Sequence, residues 1–169
     1  MTSMTASCHA EFLIDPVDSG TVRSTKPDQH GMSQMPVFHA KCSCGALALE
    51  VDGEPVHNHT CTCTRCQRAS GSALAHNVWF RQEHVRVVSG DSSVWFPQGE
   101  TTPDVMKAFC RVCGGGGFSK SGTYLPGTVV IAGGTFADPA FPAPDHVHWW
   151  DNRPHWIDLA QSIERHGGD

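Results

Sequence analysis

Long apolar runs are missing from this chain. Nowhere does it approach the roughly 20 consecutive apolar residues that span a bilayer, so no membrane partner is expected. A basic excess is missing as well: 12 Lys and Arg stand against 17 Asp and Glu, for a formal charge of -5 and a pI near 6.1. With no basic stripe either, nucleic acid is not an expected partner. Residues 1–11 lack the basic start and long apolar stretch of a secretory leader. The glycine run at 114–117 is not a phosphate loop, because Lys120-Ser121 comes too late and outside a strand-loop-helix context. What remains, 169 residues at 39% hydrophobic and 17% charged, suits one globular domain with an ordinary core.

Cysteine, by contrast, is abundant and clustered. Seven of the eight fall in three groups, Cys42-x-Cys44, Cys61-x-Cys63-x-x-Cys66 and Cys110-x-x-Cys113, with Cys8 apart. Spacings this short, without an export signal, favour metal binding in a reducing cytoplasm over disulfides. Each outer pair is followed by glycine, Gly45 or Gly114, which permits the tight backbone of a metal-binding turn, and each supplies half a tetrahedral zinc shell. Joined across the fold, Cys42, Cys44, Cys110 and Cys113 make one closed structural site that would staple the two halves of the domain. Metal binding then becomes folding free energy. The triplet Cys61, Cys63 and Cys66 remains. Three thiolates can leave a fourth position open for water or substrate. The alternatives are a closed site completed by His57 or His59, and a redox pair Cys63-x-x-Cys66, which leaves Cys61 idle and lacks a thioredoxin-like context.

Residues 1–35 read as an N-terminal extension. Turn-like pairs such as Asp15-Pro16 and Ser19-Gly20 interrupt it, and only Phe12-Leu13-Ile14 offers a patch that could dock on the domain or a neighbouring subunit, which leaves an oligomer open. The domain proper, 36–169, reads mainly as β. Leu47, Leu49 and Val51 alternate with Ala48 and Glu50, and further strands are expected at 75–80, 85–88, 94–96, 105–109 and 128–132. Ser89-Gly90-Asp91, Gln98-Gly99, Pro126-Gly127 and Gly133-Gly134 separate them, a spacing that predicts a sheet sandwich or open barrel. Trp156, Leu159, Ala160 and Ile163 fall at i, i+3, i+4 and i+7, which predicts a short C-terminal helix stopped by Gly167-Gly168.

The cysteine order with its neighbours, Cys42-Ser43-Cys44-Gly45-Ala46, then Cys61-x-Cys63-x-x-Cys66 with Ser70-Gly71, then Phe109-Cys110-x-x-Cys113-Gly114, resembles the glutathione-dependent formaldehyde-activating enzyme (GFA) family, in which centromere protein V-like domains are also grouped. Gly134-Thr135-Phe136-Ala137-Asp138-Pro139 and residues 146–156 are similar to the family's later blocks, so the resemblance covers about residues 37–157. It implies a zinc-bound β-tent fold of several small antiparallel sheets, shared with a Rab chaperone. It also implies two Zn²⁺ ions, one structural on Cys42, Cys44, Cys110 and Cys113 and one catalytic on Cys61, Cys63 and Cys66, with glutathione as co-substrate. The implied activity is a carbon–sulfur lyase of the S-(hydroxymethyl)glutathione synthase type, whose partners are a small-molecule thiol and an aldehyde such as formaldehyde.

Arg65, Arg68 and Arg111 flank the clusters and could pair with the carboxylates of glutathione, or be solvated surface charges. His57, His59 and His76 are candidates for ligand, proton shuttle or simple packing, and Trp149, Trp150 and Trp156 for pocket wall or core. Thr62 stands where many family members carry His, Gln67 where a basic residue is common, Ala137 for a frequent Asp, and four glycines replace a Gly-Ser-type step. None of these departures removes a thiolate. The wider fold also permits a non-catalytic zinc module that binds a protein partner.

Overall fold

Alternating apolar residues in short runs give strands, and strands dominate. The computed structural model describes residues 35–97 and 104–168. Cys8, Phe12-Leu13-Ile14 and the Gln98-Gly99 turn lie outside the described residues. The elements are β1 (Val37–Lys41), β2 (Ala48–Asp52), β3 (His57–Cys61), α1 (Thr64–Ser70), β4 (Ala75–Arg81), β5 (Val85–Ser89), β6 (Ser92–Trp95), β7 (Val105–Cys110), β8 (Phe118–Ser121), β9 (Thr128–Ala132), β10 (His146–His148) and β11 (Glu164–Arg165), with three single turns of 3₁₀ helix.

They form two sheets, one of three strands in the order β1-β2-β5 and one of eight in the order β11-β10-β3-β4-β9-β8-β7-β6. The mainly β architecture of small sheets is therefore as expected, and β9 matches its expected span residue for residue. One feature departs from a purely antiparallel arrangement: β10 runs parallel to both β3 and β11. A parallel pair needs a long crossover, and the chain between Cys61 and His146 supplies it.

The main core draws on both sheets. Ala40, Leu49, Val51 and Val85 come from the small sheet, and Val78, Phe80, Met106, Ala108, Phe118, Val129 and Ile131 from the large one. Val51, Val78, Phe80, Met106, Val129 and Ile131 are wholly buried, each contributing about 1.5–3 kcal/mol relative to exposure. Phe38, Phe136 and Phe141 extend the core as an aromatic cluster, with Phe136 and Phe141 stacked at 4.3 Å. Gly90, at φ +81°, ends the small sheet where a Cβ would strike the Ala46 carbonyl, so the backbone there passes close against the turn that follows β1. On the outer face of β2 and β5, Arg86 reaches Glu50 and Asp52 at 2.8 Å each. Its hydrogen bond, then that of His84, holds the Asp52 carboxyl below the usual range.

The C-terminal helix expected over Trp156, Leu159, Ala160 and Ile163 does not form. Turns occupy that stretch and lead into β11, where Glu164 N–H donates to the Asp145 carbonyl and His166 N–H to that of Val147. Pairing with an exposed sheet edge satisfies the backbone better than two isolated helical turns could. The apolar spacing has a different cause. Ile163 packs on Val147 and Trp150 with Ile157 and Leu159 beside them, while Trp156 remains 68% exposed.

Candidate metal centres

Cys42 and Cys44 sit in the turn after β1, closed by Cys42 N–H to Leu47 O at 3.0 Å and Gly45 N–H to Cys42 O at 2.9 Å, with Gly45 at φ +76°. Cys110 ends β7 and opens a matching turn, in which Gly114 N–H donates to Cys110 O at 2.9 Å. Backbone amides point at the sulfurs: Leu47 N to Cys42 Sγ at 3.2 Å, Val112 N to Cys110 Sγ and Gly115 N to Cys113 Sγ at 3.4 Å each. The two turns bring all four Sγ atoms within 4.8 Å of one another. The separations, 3.6 Å for Cys42–Cys44 and 3.8 Å for Cys44–Cys110, match the edge of about 3.8 Å that four thiolates at 2.3 Å from a tetrahedral zinc would have. The donor set fits zinc. Burial resists ionisation of Cys42, yet the Leu47 amide and the sulfurs of Cys110, Cys44 and Cys113 draw its thiol down to about 6. Cys42 and Cys44 belong to the three-stranded sheet's turn and Cys110 to the eight-stranded sheet, so the cluster joins the two sheets.

The triplet lies at the other end of the large sheet. Cys61 ends β3, and Cys63 caps α1, its Sγ accepting from Cys66 N–H at 3.3 Å. Gly71 in the left-handed conformation closes the helix, which buries no residue of its own and so depends on its caps and its entry loop. That loop is fixed by Thr62, which is fully buried: its N–H donates to His148 O at 3.0 Å and its hydroxyl to Trp149 O. Gln67 Nε2 then donates to Thr62 O at 2.6 Å and to Asn152 O at 3.1 Å. Thr62 and Gln67 thus both hold the triplet in place. The three Sγ atoms lie within 4.8 Å of one another. Contact with Cys66 draws the Cys61 thiol down to about 6 against the effect of burial, and the same contact pushes Cys66 up. All seven described cysteines are free of disulfides.

Among the described residues no fourth His, Cys, Asp or Glu joins the triplet within that reach. His57 and His59 gather instead with His146 and His148. Sequence reasoning missed His146 and His148, although a repeated His-x-His pattern, which puts both rings on one strand face, was there to be found. Burial holds all four imidazoles below their usual pKa range, His59 to about 3.

Other candidates separate. Arg65 and Arg68 lie on α1 with Cys66 and are exposed. Arg111 belongs to the four-cysteine turn, and β7 stands four strands from β3 in the sheet order, roughly 19 Å at the usual strand spacing. It is not brought to the triplet. His76 pairs with Thr60 and faces the opposite side of the sheet from Cys61, with Nε2 at 2.6 Å from Asn58 Oδ1. There it lines a cleft of about 390 Å³ with Gly133, Asp138 and Phe141. Trp150 is core, with the guanidinium groups of Arg153 and Arg165 at 4.0 and 5.0 Å from its ring, whereas Trp149 and Trp156 are exposed.

A crystal structure of a Rhodobacter sphaeroides protein is 26% identical over 63% of this chain and 92% of that one, with a TM-score of 0.44. The model of the family described as glutathione-dependent formaldehyde-activating enzyme matches residues 37–152, well over half of the chain and inclusive of all three cysteine clusters. The chain belongs to the glutathione-dependent formaldehyde-activating enzyme family.

Proposed function

We propose that the protein is a zinc-dependent carbon–sulfur lyase acting on adducts between glutathione, or a similar thiol, and a small aldehyde such as formaldehyde. The observation that supports this reading is the triplet of Cys61, Cys63 and Cys66 with no further His, Cys, Asp or Glu in reach among the described residues. In this reading Cys42, Cys44, Cys110 and Cys113 hold a structural ion and the triplet holds the catalytic one. When bound at the triplet, zinc would supply Lewis acidity that lowers the pKa of a thiol brought to it.

The chain's own residues do the rest. Thr62 and Gln67 fix the sulfur geometry through backbone carbonyls. Cys63 and Cys66 are half-buried, which leaves a path for a substrate sulfur. Arg65 and Arg68, one turn apart on the same helix, offer guanidinium groups to the carboxylates of glutathione. The reaction joins the thiol sulfur to the carbonyl carbon. The C–S bond forms, the π pair of the carbonyl moves to oxygen, and the proton given up by the thiol ends on that oxygen. The reverse direction releases aldehyde and thiol. Free cysteines suit a cytoplasmic setting, and among the described residues no helix is long and apolar enough to cross a membrane.

Exchange between ¹³C-formaldehyde and its glutathione adduct, followed by NMR, tests the proposal. Catalytic amounts of zinc-loaded protein are expected to accelerate exchange well above the spontaneous rate without shifting the equilibrium. Exchange at the spontaneous rate would contradict the lyase reading and leave a zinc module that binds a protein partner.

A further inference from the structure

Strands β3 and β10 lie side by side and parallel, with His146 opposite His59. Side chains two apart on a strand share a face, so this register sets His57-x-His59 beside His146-x-His148 as a two-by-two array of imidazoles. Ring centroids are 4.6 Å apart for His57–His59, 4.7 Å for His146–His148, 4.8 Å for His57–His146 and 4.9 Å for His59–His148. One ring nitrogen from each residue falls within 4.8 Å of the other three.

Two details of the array bear on what it could hold. His59 is buried and its Nδ1 has no hydrogen-bond partner, while its Nε2 faces the Asn77 side-chain amide at 3.5 Å. An unsatisfied buried nitrogen costs about 1–3 kcal/mol. The Nε2 atoms of His146 and His148 also point at each other across 3.1 Å, a contact that a single proton fills. A shared cation accounts for the first by taking the Nδ1 lone pair of His59, with the ring proton on Nε2, and takes the place of the proton in the second. Four imidazole nitrogens at 2.0–2.1 Å from a tetrahedral ion lie about 3.3 Å apart, close to the 3.1 Å between the His146 and His148 Nε2 atoms and within the 4.8 Å that bounds the other pairs. The outer hydrogen-bond partner that a metal-ligating histidine usually keeps would be Asn77, with its amide turned so that Oδ1 accepts from His59 Nε2–H. Asp145 and Glu164 flank His146 and add negative charge.

We propose that His57, His59, His146 and His148 form a third cation site, distinct from both cysteine clusters, for a divalent transition-metal ion of borderline softness such as Zn²⁺, Ni²⁺ or Cu²⁺. Imidazole donors select such ions over Mg²⁺ or Ca²⁺. The site shares no donor with the cysteine centres. Its occupation clamps β10 onto β3 and so holds the His148 and Trp149 carbonyls that anchor Thr62.

Co²⁺ titration of protein carrying two Zn²⁺ per chain tests this, since zinc outcompetes cobalt for the thiolates. One additional ion per chain is expected, with ligand-field absorption that lacks thiolate-to-cobalt charge transfer, and with a higher thermal midpoint. The double variant His146→Gln with His148→Gln is expected to lose that ion while keeping both zincs and its circular dichroism. Charge-transfer bands with released zinc, no additional ion, or an additional ion retained by the double variant would each overturn the proposal. Should the double variant fail to fold, imidazole NMR of the wild type decides: Co²⁺ must perturb the resonances of these four rings first, and perturbation elsewhere overturns the assignment. None of these readouts involves glutathione, so the outcome is independent of the lyase reading.

Discussion

Replacing Cys110 with serine is expected to leave a protein that binds one zinc fewer and is mostly unfolded at 37 °C. Cys110 is 1% exposed and ends β7, with its sulfur 3.8 Å from that of Cys44 on the turn of the other sheet. Structural zinc on four thiolates contributes apparent free energies of roughly 10–16 kcal/mol in small peptides. A domain with its own core depends on the ion less, but a loss of even about 5 kcal/mol would consume most of the roughly 5–15 kcal/mol that such a domain has. Serine adds to this the burial of a hydroxyl with no matching ion. Urea unfolding and zinc analysis of the purified variant read the effect. Chelation of wild-type protein should act in the same direction, with loss of near-ultraviolet circular dichroism as the ion of this cluster leaves. A Cys110→Ser variant with one ion fewer and wild-type stability would show that the sheets are joined by packing alone, and one that keeps two ions would remove Cys110 from the shell.

The second large effect belongs to Cys63. Its sulfur has two duties, as one of three donors and as the N-cap of α1. Serine keeps the second and removes the first, whereas alanine removes both. Both variants are expected to exchange the formaldehyde adduct of glutathione at the spontaneous rate, a loss of at least about 100-fold if the triplet supplies a typical metal-assisted advantage. Cys63→Ala should in addition lose about 1 kcal/mol of stability through the missing cap, and Cys63→Ser should not. Each should retain one zinc at the four-cysteine cluster. Normal turnover in a folded Cys63→Ala protein would remove the triplet from the chemistry. Parallel loss of activity and of all zinc would mean that the two centres are not independent.

What the sequence made legible follows from which physics is local. Cysteines spaced by one or two residues must share a turn, so the three clusters could be grouped before any fold was known. Strands β4, β5, β7 and β9 carry alternating or continuous β-branched and aromatic residues, and their turns carry glycine. Strand β3 reads His-Asn-His-Thr-Cys, with no apolar alternation, and it was missed. It is buried because Asn58 donates to the Pro142 and Ala143 carbonyls and because His59 stacks on His146 of β10, partners that lie far along the chain. Helix α1 was missed for a related reason: it has no apolar face, and Cys63 and Gly71 define it by capping. The expected C-terminal helix failed because four apolar residues at helical spacing do not reveal a free sheet edge. Non-local pairing also explains why His57 and His59 were weighed as ligands to the triplet. Only the register of β3 against β10 shows that they have other neighbours.

Zinc X-ray absorption on protein holding two ions per chain addresses the central claim, an incomplete sulfur shell at the triplet. An average of about 3.5 sulfurs per zinc is expected for one four-thiolate and one three-thiolate centre, rising toward 4 when glutathione is added. An average that stays the same with and without glutathione, with a histidine imidazole completing the second shell, would contradict the account.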